Sequence, residues 1–322
     1  MAIKTADKRP AISRKVVLFE FRPTGPLFMV MALLGLVVLA CGDNSAVQTV
    51  DFSRRIPVAQ PGSPPQSTLH VAVAAMISPQ RTFTAYHQLL TYIGRQTGRP
   101  VEMVQRKTYG EINKLLGSGR IHLAFICAGP YISGKATYGF KALAVPIIRG
   151  EPFYRAYLIV HRDSQYEQLE DLRNKVFAFT DPESNTGKLV PTFWLQQMEE
   201  TPEAFFKRSI YTFSHDNSIM AVAGSLVDGA AVHSQVWEYL NRRSPTQTAQ
   251  TRVIQSSAPF GNPPMVASAH LGAELQQRIQ TVLFEMHQTA DGQAILNELM
   301  IDRFVPLEED WYRPIIQMME ES

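Results

Sequence analysis

What most constrains this chain is an alternation that begins at Leu69, in which short apolar runs of strand character are separated by stretches of helical periodicity. Leu69 to Ala74 alternates as a half-buried strand does, and Val101–Val104 and Ile121–Ile126 repeat the pattern. Between them, Phe83, Tyr86, Leu90 and Ile93 recur at helical spacing, with Ser78 placed to cap that helix and Gly98 to end it, and a second helix is expected around Glu111–Leu116. The same rhythm continues beyond Gly150. Strands are expected at Tyr154–Val160, Val176–Phe179, Ser209–Phe213 and Gly229–His233, with a short helix at Leu169–Leu172. Further helices are expected from near Thr186 through Val190 and Phe193, after His215, and through Trp237 and Leu240. Ser244–Gln250 reads as a surface loop, Arg252–Gln255 as a strand returning the chain to its first half, and Leu271–Gln288 as an amphipathic helix. Alternation of this kind specifies an α/β fold, here two Rossmann-like lobes joined by two crossovers near Arg155 and Ser256.

The N-terminus sets the compartment. Six basic residues precede or flank the apolar run Leu27–Ala40, which is shorter than the roughly 20 residues a membrane-spanning helix needs. It ends in Val38-Leu39-Ala40-Cys41, which resembles the bacterial lipobox, so residues 1–40 read as a lipoprotein signal peptide and Cys41 as the lipidated first residue. An uncleaved signal anchor is the alternative. Residues 41–67 are rich in Gln, Ser, Pro and Gly and read as a flexible tether. The remaining boundaries place the first part of lobe one at 68–155, lobe two at 156–255, and the rest of lobe one with a C-terminal tail at 256–322. The only other cysteine is Cys127, which would have no disulfide partner, so the core alone must hold the fold. Removing the six basic and two acidic residues of the leader turns a net charge of +2 into −2, a balance with no footprint for nucleic acid.

The run Phe177-Ala178-Phe179-Thr180-Asp181-Pro182-Glu183-Ser184-Asn185-Thr186-Gly187-Lys188-Leu189-Val190-Pro191 is similar to the signature of the phosphate, phosphite and phosphonate solute-binding proteins of ABC transporters. Segments on both sides resemble the family in the same order, from Lys107-Thr108-Tyr109 through Tyr154–Val160 and Ser214-His215-Asp216 to Phe304-Val305-Pro306. The resemblance implies a type II periplasmic-binding-protein fold with the ligand in the cleft between lobes. It also implies a monomer on the periplasmic side of the cell envelope, serving a membrane permease and needing no cofactor or resident metal.

A small dianion taken out of water needs many donors. Ser184, Asn185 and Thr186 stand at a helix start, where backbone N–H groups and the helix dipole favour negative charge, although an ordinary N-cap has the same composition. His215 stands before a second helix, as a donor whose charge would vary with pH. The two helix starts are expected to aim free amides into one crevice. The resemblance adds Tyr109 and Tyr154 as donors from the first lobe. Relatives that take aminoalkylphosphonates carry carboxylates near Gln235 and Asn262. Amides at both places imply phosphate, phosphite or an uncharged alkylphosphonate. His233 and Tyr131 border the same region without an assigned role.

Cys127 follows a strand whose C-terminal end faces the cleft, either as a small buried side chain or as a soft ligand. The second use would make the chain a sensor for an oxyanion such as arsenite, signalling to a histidine kinase. A hydrolase built on Ser184, His215 and Asp216 or Asp228 is a remote alternative, since no G-x-S-x-G elbow occurs.

Overall fold

The computed structural model describes residues 67–74, 76 and 78–321; the leader, Cys41 and nearly all of the tether lie outside them. Strands β1 (Leu69–Val73), β2 (Val101–Val104), β3 (Leu123–Phe125) and β4 (Lys141–Ile147) alternate with helices α1 (Pro79–Thr97), α2 (Tyr109–Gly117) and α3 (Ala128–Tyr138). The chain then passes through β5 (Phe153–Tyr154) into β6 (Ala156–His161), β7 (Val176–Phe179), α4 (Val190–Gln196), α5 (Pro202–Phe205) and β8 (Arg208–Tyr211). After these come α6 (His215–Ala223), β9 (Gly229–His233), α7 (Ser234–Arg243), α8 (Pro245–Thr248) and β10 (Thr251–Ser256). It returns through β11 (Phe260–Gly261) to β12 (Met265–Ala267), α9 (Ala273–Glu285), α10 (Ala290–Leu299), β13 (Arg303–Val305) and α11 (Arg313–Glu321).

Two mixed sheets result. The first has the order β13-β4-β12-β3-β1-β2 and the second β10-β6-β9-β7-β8. Both connections between them run through the antiparallel pair β5–β11, where Tyr154 faces Phe260. Period-two alternation builds the layers. In β1, Leu69, Val71 and Val73 face Leu89, Ile93, Ile279 and Leu283 on one side, while Ala72 joins Ile112 and Leu116 on the other. In β7, Phe177 and Phe179 pack with Leu195 and Phe205, while Ala178 turns toward Ile219 and Val222. The cluster containing Ala72 also contains Ala178 and Ile219, so apolar packing continues from lobe to lobe across their seam.

Four expectations from sequence need correction. Thr251–Ser256 pairs antiparallel with β6, so this strand closes the edge of the second sheet and the return to the first lobe begins only after it. Within Ser244–Gln250 the short helix α8 forms, with Pro245 at its first position, where the missing N–H costs nothing. Ser78 occupies the N-cap position of α1 but its hydroxyl makes no cap bond; an acceptor from the other lobe takes its place, as described below. The helix near Thr186 opens with a π-helical turn, Asn185–Leu189, before α4 begins.

The junction is rigidly pinned. Asn262 donates its side-chain amide to the Pro146 carbonyl (2.8 Å) and accepts from Gln235 Nε2 (2.7 Å), while its own carbonyl accepts from the Tyr312 hydroxyl (2.6 Å). The C-terminal helix α11 rests on both α3 of the first lobe and the Asn185–Leu189 turn of the second. No helix among the described residues is long and apolar enough to cross a membrane.

Candidate ligand-binding site

The signature run folds into a tight loop at the end of β7. Ser184 caps the helix start by accepting the Gly187 N–H (3.0 Å), and Thr180, Asp181, Ser184, Asn185 and Thr186 are all buried. Gly187 is required there, because a Cβ at that position would overlap the Thr180 hydroxyl. The second lobe contributes His215 at the first position of α6, with Ser214 as its cap. From the first lobe come Tyr109, which opens α2, and Cys127 just ahead of α3. Tyr154 arrives from the crossover strand β5.

The hydrogen bonds around His215 settle its tautomer. Nδ1 accepts the backbone N–H of His233 (3.1 Å) and lies 3.2 Å from the Thr180 hydroxyl, so the ring proton sits on Nε2. Nε2 is buried without a partner. Burial pushes the His215 pKa down to about 3, and His233, buried beside it, is pushed the same way by desolvation and by His215. This corrects the expectation of a pH-dependent charge. His215 is a neutral, fixed Nε2–H donor throughout the physiological range.

Desolvation likewise raises the pKa of the Tyr109 and Tyr154 hydroxyls well above the usual phenol range and keeps their protons in place. Asn185 Nδ2 donates to the Tyr154 oxygen (3.0 Å), and the Tyr154 ring stacks on His233 with centroids 4.2 Å apart. The His233 ring stands edge-on to His215 at 5.7 Å. Unpartnered buried polar atoms are rare in folded proteins. Of the ten without a hydrogen-bond partner among the described residues, six belong to this neighbourhood: Tyr109 Oη, Asn185 Oδ1, Thr186 Oγ1, His215 Nε2, His233 Nδ1 and Asp216 Oδ2, the last with Arg81 Nε at ion-pair distance, 3.6 Å. Asn185 is adaptable, since a half-turn of its amide lets the oxygen accept from Tyr154 and leaves the NH₂ as the unpaired group.

Three of the helix-start amides have partners within the protein. The His215 N–H is donated to the Met76 carbonyl of the first lobe (3.0 Å), Gly187 N–H goes to Ser184, and Asn217 N–H goes to Ser214 (3.4 Å).

Two aspartates bridge the lobes. Asp181 accepts the Tyr109 N–H at the start of α2 (3.1 Å), and Asp216 accepts the Ser78 N–H at the start of α1 (2.8 Å) with Arg81 3.6 Å away. Each lobe-two carboxylate thus caps the positive end of a lobe-one helix. Nothing local in the sequence marks these pairings; Asp216 entered only as part of a triad, and Asp181, Thr180 and Met76 went unassigned.

The remaining residues are placed as follows. Cys127 is buried, takes backbone N–H groups from Gly129 and Asn185, and lies 4.0 Å from the Tyr154 oxygen; burial pushes its thiol up, which opposes a thiolate ligand. Gly129 lets this contact form, since a Cβ there would come 3.0 Å from the Glu183 carbonyl. Gln235 and Asn262 bond each other at the crossover, and Tyr131 packs edge-on against Tyr312 (5.3 Å). The hydrolase triad is not assembled: Ser184 serves Gly187, His215 Nδ1 serves His233 and Thr180, and Asp228 accepts from Val176 N–H (2.8 Å) at the opposite end of β7.

Neutral buried histidines make stability pH-dependent. The unfolded His215 takes up a proton below about 6.5 whereas the folded one does not until about 3, so its contribution is complete above pH 6.5 and declines on acidification. Between pH 6.5 and 5 the loss is about 2 kcal/mol from this residue. Thermal unfolding across that range should show a falling midpoint, with a shallower fall in His215→Gln; equal slopes would assign the dependence elsewhere.

Two α/β lobes crossed twice, with a buried set of neutral donors in their seam, define a solute-binding protein of the type II periplasmic class. A sequence model of the family described as "ABC transporter, phosphonate, periplasmic substrate-binding protein" matches residues 71–312, and the chain belongs to that family. It is 28% identical over 154 residues to the phosphonates-binding periplasmic protein of Escherichia coli K12, covering 47% of this chain and 45% of that protein. It is 25% identical over 209 residues to the phosphate-import protein PhnD of Mycolicibacterium smegmatis, covering 62% and 65% respectively. The matches thus span about half to two thirds of these relatives' length. In fold it is similar to the crystal structure of a binding-protein component of an ABC phosphonate transporter from Pseudomonas aeruginosa, with a TM-score of 0.75, 24% identity, and coverage of 79% of this chain and 86% of that one.

Proposed function

We propose that this chain is a lipid-anchored extracytoplasmic receptor that captures phosphate, phosphite or an uncharged alkylphosphonate between its lobes and presents it, as a monomer, to an ABC permease. Tyr109, Tyr154, Asn185, Thr186 and His215 hold the anion, and Ser184 shapes the loop that carries two of them. The observation that carries this reading is the group of buried, unpartnered atoms on Tyr109, Thr186 and His215, drawn from both lobes. Such donors cost free energy when left unpaired and repay it when an oxyanion arrives. The curated relatives are named for phosphonate and phosphate, which agrees with this donor set. Cys41 is the lipid-bearing residue in this reading.

Calorimetry on the full chain in detergent tests it. Phosphate, phosphite or methylphosphonate is expected to bind and to raise the unfolding midpoint by mass action. Arsenite is expected to bind no more tightly to the native chain than to Cys127→Ser. No binding by any phosphorus oxyanion, or arsenite binding lost with the thiol, would reject the proposal.

A further inference from the structure

The parallel strands β1, β2 and β3 end toward the cleft, where Met76 and Cys127 follow them, and so begin at the opposite pole of the first lobe. That pole is basic. Arg99 stands just before β2, Arg120 and His122 just before β3, and Lys141 opens β4. The antiparallel strand β12 delivers His270 to the same pole, since its last residue, Ala267, pairs with both Leu123 and Lys141. Arg278 reaches it from α9 and donates to the Gln96 carbonyl near the end of α1 (2.9 Å). Against these stand Glu102 on β2 and Glu274 in the first turn of α9.

An open groove of about 510 Å³ crosses this pole, lined by Arg99, His122, His270 and Arg278, with Glu274 as its one carboxylate among the described residues. Arg99 Nη1 donates to the Ser67 hydroxyl (2.7 Å), and no ion pair among the described residues includes Arg99, Arg120, Lys141 or Arg278. Burial lowers the His122 pKa, and the neighbouring His70 and Arg99 push it the same way. The groove also lies where the chain enters the domain, because Ser67 forms part of its wall. Cys41 precedes Ser67 by 67 − 41 = 26 residues, which span at most about 90 Å when fully extended. A lipid on Cys41 therefore keeps the groove within reach of the membrane.

We infer that this basic pole is a docking surface for the phosphate headgroups of anionic phospholipid in the membrane that holds Cys41, so that the anchored domain rests with its cleft turned away from that membrane. The inference rests on the lipid-anchored reading above and adds the orientation of the anchored domain. Guanidinium groups suit the task, since their planar N–H forks match phosphate oxygens two at a time. Each basic side chain held near an anionic surface favours the docked form about fivefold, and the attraction fades within a Debye length. The excess of basic over acidic side chains at the pole gives that attraction its sign.

The lipid-modified full chain, held on vesicles by its anchor, tests the inference by energy transfer to a headgroup-labelled lipid. The donor fluorophore sits on Ala269→Cys, an exposed position beside His270, while the buried Cys127 stays unlabelled. Transfer is expected to be high on phosphatidylcholine vesicles containing phosphatidylglycerol, to fall in about 0.5 M sodium chloride, and to be low on phosphatidylcholine alone. Arg99→Gln combined with Arg278→Gln is expected to lower the ratio of docked to undocked chain about 25-fold. Arg99→Lys combined with Arg278→Lys loses the same forks but keeps the charge, and is expected to retain most of the transfer. The native chain on the two vesicle types decides the question alone if a double variant does not fold. Equal transfer on both vesicle types, or equal loss in both double variants, overturns the docking while leaving the lipid anchor intact. Release by inorganic phosphate but not by sodium chloride of equal ionic strength assigns the groove to a free anion and overturns it as well. A chain that carries no lipid and does not float with vesicles overturns both readings.

Discussion

His215→Phe is expected to weaken phosphate or alkylphosphonate binding by about 10- to 100-fold, the range for removing one hydrogen bond to a charged partner. Phenylalanine leaves no cavity but is larger than histidine, so overpacking adds to the loss of the Nε2–H at this buried site. A second effect follows from the other face of the imidazole. Nδ1 accepts the His233 N–H, and phenylalanine leaves that buried amide unpaired, at a cost of about 1–3 kcal/mol in stability. For a chain of this size that lowers the unfolding midpoint by roughly 2–4 °C per kcal/mol. His215→Gln restores an N–H donor and should recover part of the affinity. Unchanged affinity in His215→Phe, measured by calorimetry, would remove His215 from the ligand's contacts.

The second large effect is expected at the interlobe aspartates. Asp181 and Asp216 hold lobe-one helix starts only while the lobes are together, so their bonds bias the balance between open and closed forms. A ligand that needs the closed form has its apparent affinity reduced by whatever fraction of closure is lost. Asp216→Ala removes the acceptor for Ser78 N–H and the partner of Arg81, and about a tenfold fall in affinity is expected. Asp181→Ala acts similarly and also frees the Glu183 N–H in the loop after β7. The double variant should lose about 100-fold, because the two bonds involve different helices and add. Small-angle scattering provides the independent readout: without ligand the double variant should have a larger radius of gyration than the native chain. An unchanged radius together with native affinity would show that these carboxylates do not govern closure.

Much of this arrangement was legible in the residues themselves, and the illegible part has a common cause. Strand and helix positions follow from apolar periodicity, which is local, and β1 and β7 place their alternate residues in separate clusters as the pattern requires. Which sheet a strand joins is not local, so the pairing of Thr251–Ser256 with β6 could not be read from its own residues. The loop at the end of β7 was readable because Ser184, Asn185, Thr186 and Gly187 are adjacent. The interlobe aspartates were not, since Asp181 meets a partner 72 residues away and Asp216 one 138 residues away. The protonation of His215 depends on an N–H from His233 and on complete burial, neither visible in Ser214-His215-Asp216.

The C-terminal helix has a position with its own implication. Because α11 sits on α3 from one half of the molecule and on the Asn185–Leu189 turn from the other, parting the halves withdraws one of its two supports. The outer surface at this last helix therefore depends on how the two halves meet beneath it.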